Sequence, residues 1–285
     1  TTAQQMKNLA AKPDLTALVN EYWTAEKLGK HTELKGDYLE ILQKTLLVEP
    51  EIFKKDLFNN RFNLREVRSP ITGILTSTKL NGDLRTSYLS MCLGVTTERP
   101  AIGKGEFLFA ASFSNLGFSK ETGDLIDLDS KAKIEVKGIS ATLGNAQNGK
   151  FRQMSGETMR TVFRTLEIID VPKNEYYLSE NVAKKIKTAI GLDQDKAKQI
   201  FTYLQNLRKE NESLARDAVQ LYFDKKQLIR TVAAMHLYAY MKLEQDDFLL
   251  ILNDKEFYMA KAPDTLYDAY DIIDKLSVKP WHQGE

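Results

Sequence analysis

Apolar residues recur at helical spacing near the start of the chain. Leu15, Leu18, Val19, Tyr22 and Trp23 share one helical face, as do Tyr38, Ile41, Leu42 and Leu46, because positions three or four apart line up along a helix. Asp37 stands where a carboxylate would cap the second of these helices. From 61 to 100 the pattern breaks. Pro70, Gly73, Gly82, Gly94 and Pro100 interrupt it, and short Thr/Ser-rich extended pieces are expected between them. Glycine then appears at 103, 105, 117, 123, 138, 144 and 149. Two strand-like runs, Asp124 to Leu128 and Ala132 to Lys137, flank the turn-prone Asp129-Ser130-Lys131 and predict a hairpin. Helices are expected over 155–169, 180–190, 193–209, 211–222 and 227–243, the last apolar nearly all round and therefore buried. Phe248 to Asn253 and Glu256 to Lys261 predict a second hairpin turning at Asp254-Lys255, followed by a helix over 265–276.

Strands in the middle and near the end, surrounded by helices, imply an α/β (α+β) fold with a central mixed sheet flanked by helices. The predicted organisation is a mostly helical N-terminal region over 1–100 and a core over 101–285. That core carries a helical insertion at about 155–227.

The 285 residues suffice for one large domain or two modest ones. Lysine and arginine total 40 against 39 acids, a net charge of +1. That balance argues against a general nucleic-acid coat and gives no reason to favour a membrane surface, but it leaves room for a local basic groove. The longest apolar runs, Phe107 to Ala111 and Phe248 to Leu252, are far shorter than the roughly 18 residues of a membrane span. The opening TTAQQMKNLA lacks a secretory signal's apolar core. The single cysteine, Cys92, can form neither an internal disulfide nor a cysteine-based zinc site, so a reducing, cytoplasmic setting is expected. His31, His236 and His282 lie too far apart in sequence to suggest a zinc cluster.

Candidate chemistry concentrates between 105 and 138. Glu135 and Lys137 are two apart on a predicted strand and so project from one face, with Ile134 and Val136 on the other. Acids on the preceding strand lie within hairpin reach. Clustered carboxylates repel unless a cation sits among them, and hard oxygen donors suit Mg²⁺ or Mn²⁺. The bland alternative is a solvated sheet edge.

The order Glu106, Gly123-Asp124, then Glu135-Val136-Lys137-Gly138 resembles the PD-(D/E)xK nuclease superfamily, in which an acid precedes an E-x-K strand. The GD and EVKG words are similar to those of DNA-cleaving members, and the resemblance covers roughly 103–138. It implies a restriction-endonuclease-like fold and metal-dependent hydrolysis of DNA phosphodiesters. By that resemblance Asp124 and Glu135 are metal ligands, and Glu106 binds the metal directly or through water. Lys137 would orient or help deprotonate the attacking water, or stabilise charge on the phosphate. Gly123 stands where the family name has proline.

Asp127 competes with Asp124 for the motif position. A two-residue loop at Asp129-Ser130 sets Asp124 opposite Glu135, and one at Ser130-Lys131 sets it opposite Lys137. A three-residue loop puts Asp127 on the Glu135 face. Shared burial of Ile126, Leu128, Ile134 and Val136 favours the three-residue loop, whereas the motif favours Asp124.

His236 and Tyr240, four apart on a predicted helix, are similar to the Q-x-x-x-Y motif of members related to the RecB nuclease, with histidine in place of glutamine. The plain reading is a His and a Tyr satisfied within a core helix. Lys150, Arg152, Arg160 and Arg164 follow the motif and are the first candidates to hold a DNA backbone. Arg61, Arg65 and Arg68, and Lys184, Lys185 and Lys187, form further basic sets. No Walker loop and no nucleophile elbow is present. The leading expectation is a metal-dependent DNA nuclease with Mg²⁺ or Mn²⁺ as cofactor and DNA as partner. A homodimer or larger assembly stays open. The alternative is an inactive nuclease-fold protein that binds DNA or serves an assembly.

Overall fold

A computed structural model describes residues 15–45, 50–75, 82–98, 102–103, 105–121, 123–138, 188, 191, 193–208 and 214–276. Its helices are α1 (Leu15–Tyr22), α2 (Ala25–Leu28), α3 (Leu34–Thr45), α4 (Pro50–Asn59), α5 (Gly82–Glu98), α6 (Glu106–Ser112), α7 (Gln194–Arg208), α8 (Leu214–Lys225), α9 (Leu228–Glu244) and α10 (Leu266–Leu276). Its strands are β1 (Val67–Pro70), β2 (Leu116–Phe118), β3 (Leu125–Asp127), β4 (Lys133–Gly138), β5 (Phe248–Leu252) and β6 (Glu256–Lys261). No helix among the described residues is long and apolar enough to cross a membrane.

The strands form one mixed six-stranded sheet in the order β1-β6-β5-β4-β3-β2. β2, β3 and β4 are an antiparallel meander. The chain then forms α7 to α9 and returns as β5, which lies parallel to β4. β6 turns back antiparallel, and β1 closes that edge. Helices and this sheet make the protein a mixed α/β fold.

The chain divides into two compact units, Thr1–Ile139 with Gln245–Lys261, and Ser140–Glu244 with Ala262–Glu285. The first unit thus joins the N-terminal helices to all six strands. The physical reason is a shared core. Trp23, Tyr38, Leu42, Tyr88 and Cys92 are buried in one hydrophobic cluster with Phe107, Ile134, Val136, Leu250 and Met259. Trp23 stacks on Phe107 at 5.6 Å and on Phe118 at 6.3 Å between ring centroids.

The structure corrects two local expectations. α3 begins at Leu34, so Asp37 lies in its first turn and not at its cap. A carboxylate there still favours the helix, because the exposed amides of the first turn carry partial positive charge. Residues 82–98 form one 17-residue helix, not extended pieces, with Tyr88, Leu89, Cys92 and Val95 on the buried face. β1, within the stretch expected to be extended, pairs with β6, and β2 pairs with β3. The expected helices at 155–169 and 180–190 lie outside the described residues, apart from Thr188, which is helical.

All seven residues of α6 are buried, so its last carbonyls cannot reach water. Side chains supply the donors. Tyr22 Oη donates to Ala110 O at 3.3 Å, and Tyr88 Oη to Ala111 O at 3.1 Å, with Tyr38 Oη bonded to Tyr88 Oη at 3.0 Å. Asn60 Nδ2 donates to Ser112 O at 2.6 Å and to Ile74 O at 3.1 Å. Lys27 Nζ, 1% exposed, donates to Phe113 O at 2.7 Å and to Leu116 O. Its burial holds its pKa well below the ordinary lysine value.

Asn60→Ala leaves two buried carbonyls without this donor and should lower unfolding stability by roughly 2 kcal/mol. Lys44→Ala, which breaks an exposed pair with Glu40, should change it by no more than about 0.5 kcal/mol. Urea unfolding followed by circular dichroism compares the two, and equal effects would contradict the role given to the amide.

Candidate active site

β3 and β4 pair only over Leu125↔Ile134 and Ile126↔Lys133. The connection closes with Asp127 N donating to Ala132 O at 2.9 Å and Lys131 N to Asp127 O at 2.8 Å, with Lys131 left-handed at φ 65°. Continued by one residue, this register sets Asp124 level with Glu135. It is the parity of the two-residue loop at Asp129-Ser130. Leu125, not Ile126, therefore shares the buried face of Ile134.

At Asp124 the two strands part. Asp124 N donates to Ile134 O at 3.0 Å, but the chain before it turns away through Gly123 at φ 80°. Proline cannot adopt that angle, which gives a physical account of the glycine at the motif's first position. The Val136 N–H, which would continue the ladder, donates instead to Asp124 Oδ2 at 2.9 Å. The carboxylate thus replaces a missing strand residue, and this fixes it beside β4.

Glu106 opens α6. Its Oε1 accepts from Gly103 N at 2.7 Å, and a Cβ on residue 103 would lie 2.0 Å from that oxygen, so a side chain there would push the carboxylate aside. Glu106 is 7% and Glu135 4% exposed. Lys137 Nζ stands 2.5 Å from Glu135 Oε1. Burial and then the charge of Asp124 push the Glu106 carboxyl up to about 8, with Glu135 adding to the rise. Gly103 N–H and Lys137 pull it partly back. Burial works against the Lys137 charge, but Glu135, Asp124 and Glu106 outweigh it and hold its pKa above the ordinary lysine value. Lys137 is thus a cation among three acids and not a free base in this state.

The structure brings Glu106, Asp124, Glu135 and Lys137 together electrostatically. It employs Asp127 elsewhere. Asp127 Oδ1 accepts from Asp129 N at 3.1 Å and Asn115 Nδ2 at 3.3 Å, and Oδ2 from Ser130 Oγ at 2.8 Å, so its carboxylate is bound up in the hairpin turn. His236 and Tyr240 lie on α9, in the second unit. Tyr240 is buried, and the His236 side chain falls outside the described set. Lys150, Arg152, Arg160 and Arg164, like Lys184, Lys185 and Lys187, lie outside the described residues. Arg61 pairs with Asp129 and Arg68 with Glu256, as solvated surface pairs.

One acid escaped the sequence reading. Asp246, at the mouth of β5, is 6% exposed, and a Cβ on Gly123 would lie 2.7 Å from its Oδ1. The only signal for it was an Asp-Asp pair immediately before an apolar strand.

The donor set, three carboxylates, has the chemistry of a Mg²⁺ or Mn²⁺ site. The arrangement is closed, however. Among the described residues no group of three or more His, Cys, Asp or Glu side chains is placed to hold a metal ion. The Lys137 ammonium stands among the acids as a cation of the protein's own. Comparison with known proteins finds no matching family model, curated relative or solved structure.

The raised carboxyl of Glu106 has a definite consequence for stability. The folded state holds this proton more tightly than the unfolded chain. Its contribution is therefore most favourable below the ordinary value of 4.5 and is lost as pH rises toward about 8. Glu106→Gln keeps an acceptor for Gly103 but cannot ionise. In EDTA it should match the wild type in melting temperature near about pH 5 and exceed it increasingly toward about pH 8. Melting curves for the two proteins that stay parallel across this window would contradict the electrostatic account of the site.

Proposed function

We propose that this protein is a metal-dependent nuclease that hydrolyses DNA phosphodiester bonds at the Glu106–Asp124–Glu135–Lys137 cluster. One observation carries the reading. Three acids from a helix, a strand mouth and a central strand converge on one lysine at the point where β3 leaves β4. Neither local folding nor the hydrophobic core requires this. Such charge costs stability in a partly buried setting, and groups of this kind concentrate where chemistry is done. The agreement of these residues with the E-x-K word supports the assignment of class. The mixed sheet between helices agrees with the fold that the resemblance implies.

Asp124, Glu135 and Glu106 would hold the cation, and Mg²⁺ or Mn²⁺ would supply Lewis acidity and lower the pKa of a bound water. Asp124 is restrained by Val136 N–H and Glu106 by Gly103 N–H, so both carboxylates are aimed before any ligand arrives. Lys137, kept protonated by its neighbours, would stabilise the negative charge that grows on the phosphate during in-line attack. Asp127 keeps the turn and takes no part in the chemistry. DNA as the substrate, the fold family and the cytoplasmic setting belong to this proposal.

A second reading has its own observation. No metal-ready group is formed among the described residues, which favours an inactive nuclease-fold protein serving DNA binding or an assembly.

A plasmid-nicking assay with Mn²⁺ or Mg²⁺ separates the two. Asp124→Asn, Glu135→Ala and Lys137→Ala should each reduce cutting by about a hundredfold or more. Asp127→Asn should keep the activity and lose stability. Cutting that survives the first three substitutions, or no cutting of plasmid, linear, single-stranded or branched DNA, would favour the second reading.

A further inference from the structure

We propose that Lys137 is the resident cation of the carboxylate site, and that a divalent metal enters by exchange, displacing the Lys137 ammonium from Glu135. This rests on the nuclease reading and concerns how its site is held and filled. Glu106 and Glu135 are almost wholly buried, and Asp124 is locked to the backbone beside them. An ionised Glu135 in such a place, with Asp124 beside it, needs a compensating charge for the fold to persist. The 2.5 Å contact between Lys137 Nζ and Glu135 Oε1 supplies it. A carboxylate that a metal would claim is thus already engaged by the lysine.

The lysine is suited to leave. Its ammonium rides on a flexible four-carbon stem, and its side chain is 21% exposed, against 5% for Glu135. The acids are the fixed part of the site and the cation is the movable part. Lys137 and metal then compete for one position without the carboxylates having to reassemble. After exchange the ammonium remains tethered next to the site, available to a phosphate.

The test is Mn²⁺ titration by calorimetry, with melting temperatures in EDTA and in Mn²⁺, on the full chain. Lys137→Met should bind Mn²⁺ about tenfold or more tightly than the wild type, since the metal no longer displaces an ion. It should melt lower than the wild type in EDTA and recover in Mn²⁺. The double variant Lys137→Met/Glu135→Gln removes one charge of each sign. It should regain metal-free stability without the gain in Mn²⁺ affinity. Unchanged or weaker Mn²⁺ binding by Lys137→Met, or an unchanged melting temperature in EDTA, would overturn the exchange. So would a Lys137→Met protein that stays unfolded in Mn²⁺ while the double variant folds. Wild-type cutting of DNA alongside equal Mn²⁺ affinities would sink the exchange and leave the nuclease reading standing. Tighter Mn²⁺ binding by the variant with no cutting of any DNA by the wild type would support the exchange and sink the nuclease reading.

Discussion

The buried helix α6 sets the terms for the first unit. A helix in water can leave its terminal carbonyls to the solvent, but one with all seven residues buried cannot. Each carbonyl from Ala110 to Phe113 needs a donor, and backbone alone does not provide enough of them. Tyr22, Lys27, Asn60 and Tyr88, from four different parts of the first ninety residues, meet this need. Because an unmet buried carbonyl is costly, the donors must all be in place together. The N-terminal helices are thus part of the sheet's foundation, not an appendage to it.

The other end of the same helix carries Glu106. Its position at the acid cluster is inherited from a helix whose far end is tied at several points. β4 is held on one side by its parallel pairing with β5 and on the other by a short ladder that Asp124 terminates. The cluster therefore sits where three well-anchored pieces meet, which lets like charges be kept at close quarters. A mobile loop bearing the same acids would let them drift apart.

Much of this was legible in the sequence, and the limits have physical causes. The two hairpins and the helices α1, α3, α7 to α9 and α10 announced themselves by apolar spacing and turn residues. Glu135 and Lys137 could be placed on one face because a strand alternates. The contest between Asp124 and Asp127 could not be decided, because one residue in the loop reverses every side chain. The carboxylate of Asp127 proved to be the turn's own cap, a role that depends on Asn115, twelve residues away. Phe107 to Ala111 and Phe248 to Leu252 look alike as apolar runs, yet one is a helix and the other a strand, since a fully buried segment carries no periodicity. β1 falls among the extended pieces expected over 61–100, whereas β2 was not foreseen, because its partner β3 defines it. The helix over 82–98 was hidden by glycines at 82 and 94, which tertiary packing of Tyr88 and Cys92 overrides.

The pairing of β4 with β5 has a consequence for the order of events at birth. β4 reaches its antiparallel neighbour within a few residues, but Lys133 meets Asp247 only after 114 more. Loop closure over such a span is slow compared with hairpin formation. During synthesis the meander and the N-terminal helices can assemble while one edge of β4 remains open. That edge bears the row of unpaired amides and carbonyls that invites association with another chain. The strand carrying the site therefore stays open along one side until β5 emerges, an interval in which the nascent protein is exposed to misassembly.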